Sequence, residues 1–539
     1  MAQKRIAVIG AGVCGLGAIK CCLDEDLEPT CFERSDDIGG LWKFQKNTAE
    51  KLPSIYRSLT INTSKEMMCY SDYPIPDDFP NYMHNSKVME YFRMYAKHFN
   101  LLKYIRFKAK VQSIKKRPDF SSSGQWDVVV EANEQQESLV FDGILVCSGH
   151  HTDPNLPLQS FPGIERFKGN YFHSREYKSP EEFLGKRIIV IGIGNSGADI
   201  AVELSRDAKQ VFLSTRHGSW ILHRVWDNGY PMDTSFFTRF NNLLQKIASF
   251  RITNNQLEKK LNSRFNHAHY GLQPQHRYSG QHPTVSDDLP NHIISGKVLV
   301  KPNVKEFTKT AAIFEDGTIE EDIDVVIFAT GYNISFPFLE DLIKVTNNEV
   351  SLYKLMFPPD LEQPTLAVIG LIQPLGIVLP IAELQSRWAT RVFKGLNKLP
   401  SVKNMMTDIT QRKTDMAKRP RHTIQVDHIE YMDEIATQIG VKPNLLWLFL
   451  WDPKLAWKVF FGPCTPYQYR LRGPRKWDGA RRAILTQTER ILKPMKTRTI
   501  NNERNPSSEI SWVKMAPVSF VILASVLSYY CYIYHPERK

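Results

Sequence analysis

The 539-residue chain carries 69 Lys and Arg against 57 Asp and Glu, a formal charge of +12, with 42% apolar and 23% charged residues. That balance excludes disordered, collagen-like and coiled-coil chains, and at roughly 150 residues per domain it predicts three or four domains or one elaborated multidomain enzyme. The eight cysteines (Cys14, Cys21, Cys22, Cys31, Cys69, Cys147, Cys464, Cys531) are scattered and form no CxxC pair. This predicts free thiols in a reducing compartment and argues against dithiol chemistry.

Met1 to Cys22 has a basic start and an apolar run, but glycines interrupt the run at a spacing that a signal peptide does not explain. Lys4 to Gly15 reads KRIAVIGAGVCG: a run of strand formers, a G-x-G-x-x-G turn, then a predicted helix over Leu16 to Leu23. This is the fingerprint of a Rossmann unit. Its glycines make the tight turn, let backbone approach a pyrophosphate, and pack helix on strand. A second strand, Thr30 to Phe32, leads into Glu33, an acid placed to accept the hydroxyls of an unphosphorylated ribose such as that of FAD or NAD. Gly39-Gly40-Leu41-Trp42 follows and could wrap a ribityl chain, and Val146-Cys147-Ser148-Gly149 closes a further strand.

Lys186 to Gly197 reads KRIIVIGIGNSG, identical to the first fingerprint at eight of twelve positions with a constant offset of 182. A helix is predicted over Ala198 to Arg206 and a strand over Val211 to Arg216. The offset carries Glu33 onto Thr215, followed by Arg216. A hydroxyl and a cation in place of the acid suit a 2′-phosphate, so the second nucleotide reads as NADPH. Two fingerprints in strand-to-helix context imply FAD plus NADPH, with hydride passing from nicotinamide to flavin. The binding residues are then Gly10, Ala11, Gly12, Val13, Cys14, Gly15 and Glu33 for FAD, and Gly192, Gly194, Asn195, Ser196, Gly197, Ala198, Asp199, Thr215 and Arg216 for NADPH. Residues 216–297 form an insertion rich in aromatics and Asn, helical near Thr238 to Ile247, which either roofs a substrate channel or thickens the domain. Phe328-Ala329-Thr330-Gly331-Tyr332 ends another strand, the counterpart of the Cys147 turn.

Beyond residue 442, Leu445 to Trp451 with Trp457, Val459, Phe460 and Phe461 is too short to span a bilayer, yet its Trp, Phe and interleaved Lys suit a segment lying in the membrane interface. A packed core helix is the other reading. Met515 to Tyr534 is 20 residues long and uncharged, enough to cross a hydrocarbon core of about 30 Å. As a terminal anchor it would leave the body facing the cytosol, and the cations of Arg470 to Lys496 would meet anionic lipid. No aromatic-basic module supports nucleic acid. His150-His151 and His282, Asp287 and Asp288 lack ligand spacing on one helical face, so no metal site is expected.

These residues resemble a family. Phe167 to Tyr177 (FKGNYFHSREY) fits the F-x-G-x-x-x-H-x-x-x-Y signature of flavin-containing monooxygenases, just ahead of the second fingerprint. The resemblance spans nearly the whole chain, including Asn62 to Met68, Gln281 to Thr284, Gly370 to Gly376 and the apolar tail. It is to the vertebrate microsomal, dimethylaniline N-oxide-forming branch. Cys14 departs from the serine usual in the first fingerprint; the residue faces the pyrophosphate through its backbone, so little harm is expected, although tighter packing there could weaken FAD.

The resemblance implies an α/β fold of two Rossmann-type dinucleotide-binding domains, for FAD and NADPH, with a C-terminal transmembrane helix. The FAD domain takes 1–154 and 331–442, the NADPH domain 155–330, a membrane-associating region 443–514 and the helix 515–534. It also implies an NADPH- and O2-dependent monooxygenase that forms a C4a-hydroperoxyflavin and oxygenates soft nucleophiles, the amines and sulfides of lipophilic xenobiotics, on the endoplasmic reticulum membrane. Asn62 is the implied catalytic residue. Leu41, Trp42, Asn62 and Thr63 join the FAD set, Gln373 the NADP set, and Arg224 is a second partner for the 2′-phosphate. His173 reads as a link between domains rather than a proton donor. Baeyer-Villiger chemistry, NADPH oxidase activity and a non-catalytic flavin-binding paralogue stay open, as does a homo-oligomer.

Overall fold

Strands buried on both faces need continuous apolar runs, and the two fingerprint strands supply them: Ile6, Ala7 and Val8 in one, Ile188, Ile189 and Val190 in the other, all fully buried. In the computed structural model, which describes residues 3–47, 52–248, 250–339, 342–417 and 423–498, each run heads a parallel sheet. In chain order the elements that place the site are β1 (Arg5–Ile9), α1 (Val13–Asp24), β2 (Glu28–Phe32), β3 (Ile105–Arg106), β4 (Gly143–Val146), β5 (Asn170–His173), β6 (Arg187–Ile191), α2 (Asn195–Leu204), β7 (Gln210–Ser214), β8 (Val298–Lys301), β9 (Val325–Phe328), β10 (Leu366–Val368) and α3 (Val378–Lys394).

The first sheet runs β10-β4-β1-β2-β3 and the second β8-β7-β6-β9-β5. Every pairing in both is parallel. Within each, the third, second, first and fourth strands of the unit stand in the Rossmann order. The fifth strand differs in origin. β10 returns from late in the chain to join the first sheet, whereas β5 precedes the whole second unit. The helices start at Val13 and Asn195, three residues earlier than the apolar pattern predicts, because the fingerprint's own last residues form the first turn.

The chain through Pro494 makes one unit, and its C-terminal part is held by buried charge. Arg470, 1% exposed, places its guanidinium 2.8 Å from Glu383 of α3 and 2.9 Å from Asp72, and Lys20 of α1 bonds to the same Asp72 at 2.5 Å. Arg490 meets Glu66 at 2.9 Å, Arg481 meets Asp452 at 2.6 Å and Lys493 meets Asp77 at 2.8 Å. Of the nine cations in Arg470 to Lys496, Arg470, Arg481, Arg490 and Lys493 are thus engaged within the protein, while Arg472, Arg475 and Arg482 are exposed. Among the described residues no helix is long and apolar enough to cross a membrane. Met515 to Tyr534 and Cys531 lie outside the described residues.

Candidate functional site

The two fingerprints fold into near copies. In each, the first glycine has a positive φ (Gly10 +101°, Gly192 +108°), and a Cβ there would stand 2.8 Å from the Cys147 carbonyl oxygen or 2.5 Å from that of Ala329. Those two carbonyls are themselves related by the offset of 182, so the Cys147 and Ala329 turns are structural counterparts. A Cβ on the third glycine, Gly15 or Gly197, would fall 1.9 Å from the carbonyl oxygen of the first. The second glycines are different. Nothing lies within 4 Å of the Cβ position of Gly194, and for Gly12 only Gly40 approaches, at 3.7 Å. The protein fills the space beside the first and third glycines and leaves it open beside the second, where a pyrophosphate has to lie. Gly12 and Gly194 also cap α1 and α2 with no side-chain hydrogen bond, leaving helix N–H groups for an anion. Both cradles therefore fit dinucleotides.

Glu33 follows β2 directly, and its carboxylate accepts hydrogen bonds from the N–H groups of Ala11 and Ser35, each at 2.8 Å. The acid is thereby tied to the glycine turn. At the matching position after β7, Thr215 accepts from Gly218 N–H at 3.1 Å. Arg216 is exposed, and among the described residues no carboxylate pairs with it. Arg224, the other cation considered for the phosphate, is engaged: it donates to Asp287 at 3.0 Å and to Asn62 Oδ1 at 2.6 Å. Cys14 packs its sulfur where a Cβ on Gly370 would stand, 2.5 Å away, so a missing side chain makes room for it. Burial pushes its thiol up to about 12.

The signature around Gly169 is scaffolding. A Cβ at Gly169 would stand 2.5 Å from the Asp324 carbonyl oxygen. His173 accepts from Arg175 N–H on Nδ1, which leaves Nε2–H to donate to the Gly331 carbonyl at 2.9 Å, and burial lowers its pKa. Tyr177 donates to Glu203 at 2.8 Å. Asp199 accepts from Tyr56 at 2.6 Å, and burial raises its carboxyl. It is a bridge to the Tyr56 segment.

Between the fingerprints opens a cavity of about 750 Å³, lined by Val13 of α1 and Asn195 of α2 together with Trp42, Asn62, Thr63 and Gln373. These six sequence-predicted residues, from five segments of the chain, meet there. The Gly39-Gly40 turn delivers Trp42: Gly39 N–H bonds to the Ala11 carbonyl, and Gly40 packs on Gly12. Asn195 Oδ1 accepts from Val285 N–H at 2.8 Å, and Gln373 opens a short strand paired with Gln425–Asp427. Leu41 and the remaining fingerprint residues lie outside the lining, and Ser196 is exposed. Because Arg224 only donates, Asn62 must turn its oxygen toward it. Its amide NH2 has no partner among the described residues.

The rest of the lining was not assigned to the site from the sequence. Leu222, Met232, Asp233, Phe236, Phe237, Tyr278 and His282 all come from the 216–297 insertion, which therefore walls the cavity. His428 joins them, fully buried with its pKa pushed down to about 3 by desolvation. No local pattern marks these residues, since apolar and polar alternation there serves the insertion's own packing.

The chain matches the flavin-binding monooxygenase-like family over residues 3–531. It belongs to that family. It is 63% identical to flavin-containing monooxygenase 5 of Rattus norvegicus, over 98% of this chain and 100% of that protein, and 60% identical to the Homo sapiens protein of the same name over the same shares. Identity to dimethylaniline monooxygenase [N-oxide-forming] 2 of Mus musculus is 56% over 98% of each chain. Among solved structures, S-allyl-L-cysteine S-oxygenase from Allium sativum superposes with a TM-score of 0.62 at 25% identity, covering 81% of this chain and 89% of that one. An open form of cyclohexanone monooxygenase gives 0.60 at 16%, covering 81% and 98%, a likeness of fold. The chain is thus an oxidoreductase of the flavin monooxygenase class, with FAD and NADPH as cofactors and O2 as co-substrate.

Proposed function

We propose that this monooxygenase transfers oxygen to soft nucleophiles, N-oxidising amines and S-oxidising sulfides of lipophilic compounds. The observation that carries the reading is the shared cavity: Val13 and Asn195 start the two cofactor helices, and both line one largely apolar chamber with the free amide of Asn62. Bound reduced flavin would supply O2 activation. The residues that would hold the cofactors are the fingerprint glycines, Glu33 and Trp42 on one side and Asn195, Thr215, Arg216 and Gln373 on the other. Asn62, fixed by Arg224, presents N–H donors to the reacting oxygen, and the insertion's aromatics exclude water. A lone-pair substrate needs no general base, so the chemistry asks for no proton acceptor from the acids and histidines of the lining. S-oxygenation by the Allium sativum relative agrees with this chemistry.

The same reading places the body on the cytosolic face of the endoplasmic reticulum membrane. Helix Leu445–Trp451 leaves Leu446, Trp447, Leu450 and Trp451 between 56% and 79% exposed, the disposition of an interfacial segment rather than a core helix. Removing residues 515–539 should leave partial binding to vesicles, and a fully soluble product overturns the interfacial role. For the chemistry, mixing NADPH-reduced enzyme with O2 should give a long-lived near-ultraviolet flavin transient that collapses on adding a thioether. Collapse only with a ketone would indicate Baeyer-Villiger chemistry, direct return to oxidised flavin an oxidase, and no reduction by NADPH a non-catalytic protein.

A further inference from the structure

Asp233 is the one acid of the insertion that lines the cavity, and it is 1% exposed. Its Oδ2 accepts from Ser64 N–H at 2.6 Å, two residues beyond Asn62, while Oδ1 has no hydrogen-bond partner. Among the described residues no Lys or Arg pairs with it. The cations nearby have other partners. Lys65 donates to the carbonyls of Asp77 and Phe79, Arg490 holds Glu66, and Arg224 holds Asp287 and Asn62. Tyr82, which faces the acid, donates to the Arg224 carbonyl and accepts from Met232 N–H, and its own titration is driven upward by burial. A buried charge without a counter-ion is costly, and a protein keeps one where something else supplies the opposite charge.

We infer that Asp233 places a buried negative charge on the wall of the cavity for an organic cation, beside the lining carboxylates Asp427 and Glu430, acting through the low-dielectric interior on a positively charged occupant. Two occupants carry that chemistry: the oxidised nicotinamide ring, cationic where the reduced ring is neutral, and the ammonium group of a basic amine. The inference rests on the cofactor and substrate reading above. Asp233 is a positioning residue, since its charge selects which form of a ligand stays.

The test uses the FAD-loaded full chain and the isosteric Asp233→Asn variant. One arm compares the Kd of NADP+ with that of a tetrahydronicotinamide analogue, whose ring is neutral and cannot reduce flavin. The other compares the KM of a thioether bearing a quaternary ammonium with that of its neutral tert-butyl isostere. If the nicotinamide is the partner, the variant's preference for NADP+ over the analogue falls about tenfold; if the amine is, the cationic thioether alone loses a similar factor. In the native chain burial pushes the Asp233 carboxyl up to about 6, so lowering pH through 6 should reproduce the loss. Both nucleotides carry the same phosphate, so its titration cancels in the ratio. Unchanged ratios in both arms overturn the inference. So does a fallen Tm with all affinities reduced alike, which marks a plain structural contact; an unpaired buried carboxylate replaced by its amide should leave Tm at pH 8 equal or higher. Failure of the nucleotides to bind the native chain at all would instead overturn the cofactor reading.

Discussion

The two Rossmann units share strand order, glycine geometry and even the carbonyl that crowds the first glycine, yet they part at one position. The residue after the second strand is Glu33 in one and Thr215, followed by an exposed Arg216, in the other. On the reading proposed above, a duplicated scaffold leaves cofactor choice to a single strand end, while the shared parts serve the dinucleotide core common to both. The units differ again in what they lend the cavity. The first contributes Val13, Trp42 and the Asn62 loop; the second contributes Asn195 and, through its insertion, the aromatic wall and the buried acid.

Six substitutions would break or sharpen that comparison. Gly15→Ala and Gly197→Ala force a Cβ to 1.9 Å from backbone, so each should destabilise its unit by more than about 3 kcal/mol and give insoluble protein. Gly194→Ala, with open space around it, should fold with unchanged Tm and lose only NADPH affinity, as nucleotide titration would show. Arg216→Ala should lower the preference for NADPH over NADH by roughly 30-fold, about 2 kcal/mol, in steady-state kinetics; an unchanged preference would remove Arg216 from the phosphate site. Asn62→Leu strips the free donor and leaves Arg224 with an unanswered N–H. Product per NADPH should drop about tenfold while NADPH consumption continues, measured by parallel product and peroxide assays. Smallest is Cys14→Ser, expected to change FAD retention by no more than about 1 kcal/mol. Since burial raises the Cys14 thiol to about 12, iodoacetamide at pH 8 should leave that residue unmodified in the folded chain.

Much of this architecture was legible because it is local. A repeat with fixed offset, glycines at set spacing and a charge change after the second strand are readable without knowing where the chain goes. The Cys147 and Ala329 turns were readable for the same reason, as strand ends in matching places. What could not be read depends on distant segments meeting. Arg224 reaches Asn62 across 162 residues and Asp233 reaches Ser64 across 169. The run Arg470 to Lys496 shows the same limit: its cations are counted easily, but the partners of four of them, Glu383, Asp72, Glu66, Asp452 and Asp77, are set by folding. The surroundings of Cys14 were likewise out of reach, since its fit depends on the absent side chain of Gly370, 356 residues away.

The Arg470 clamp has a bearing on where this chain can be cut. Its guanidinium answers two buried carboxylates, one on the helix that packs against α1, so a truncation upstream of residue 470 would strip Glu383 of its ion-pair partner beside the FAD cradle and leave Asp72 with Lys20 alone. A truncation just past Pro494 removes none of the ion pairs made by Arg470, Arg481, Arg490 or Lys493. A fragment ending just past residue 494 should therefore fold and keep its yellow colour.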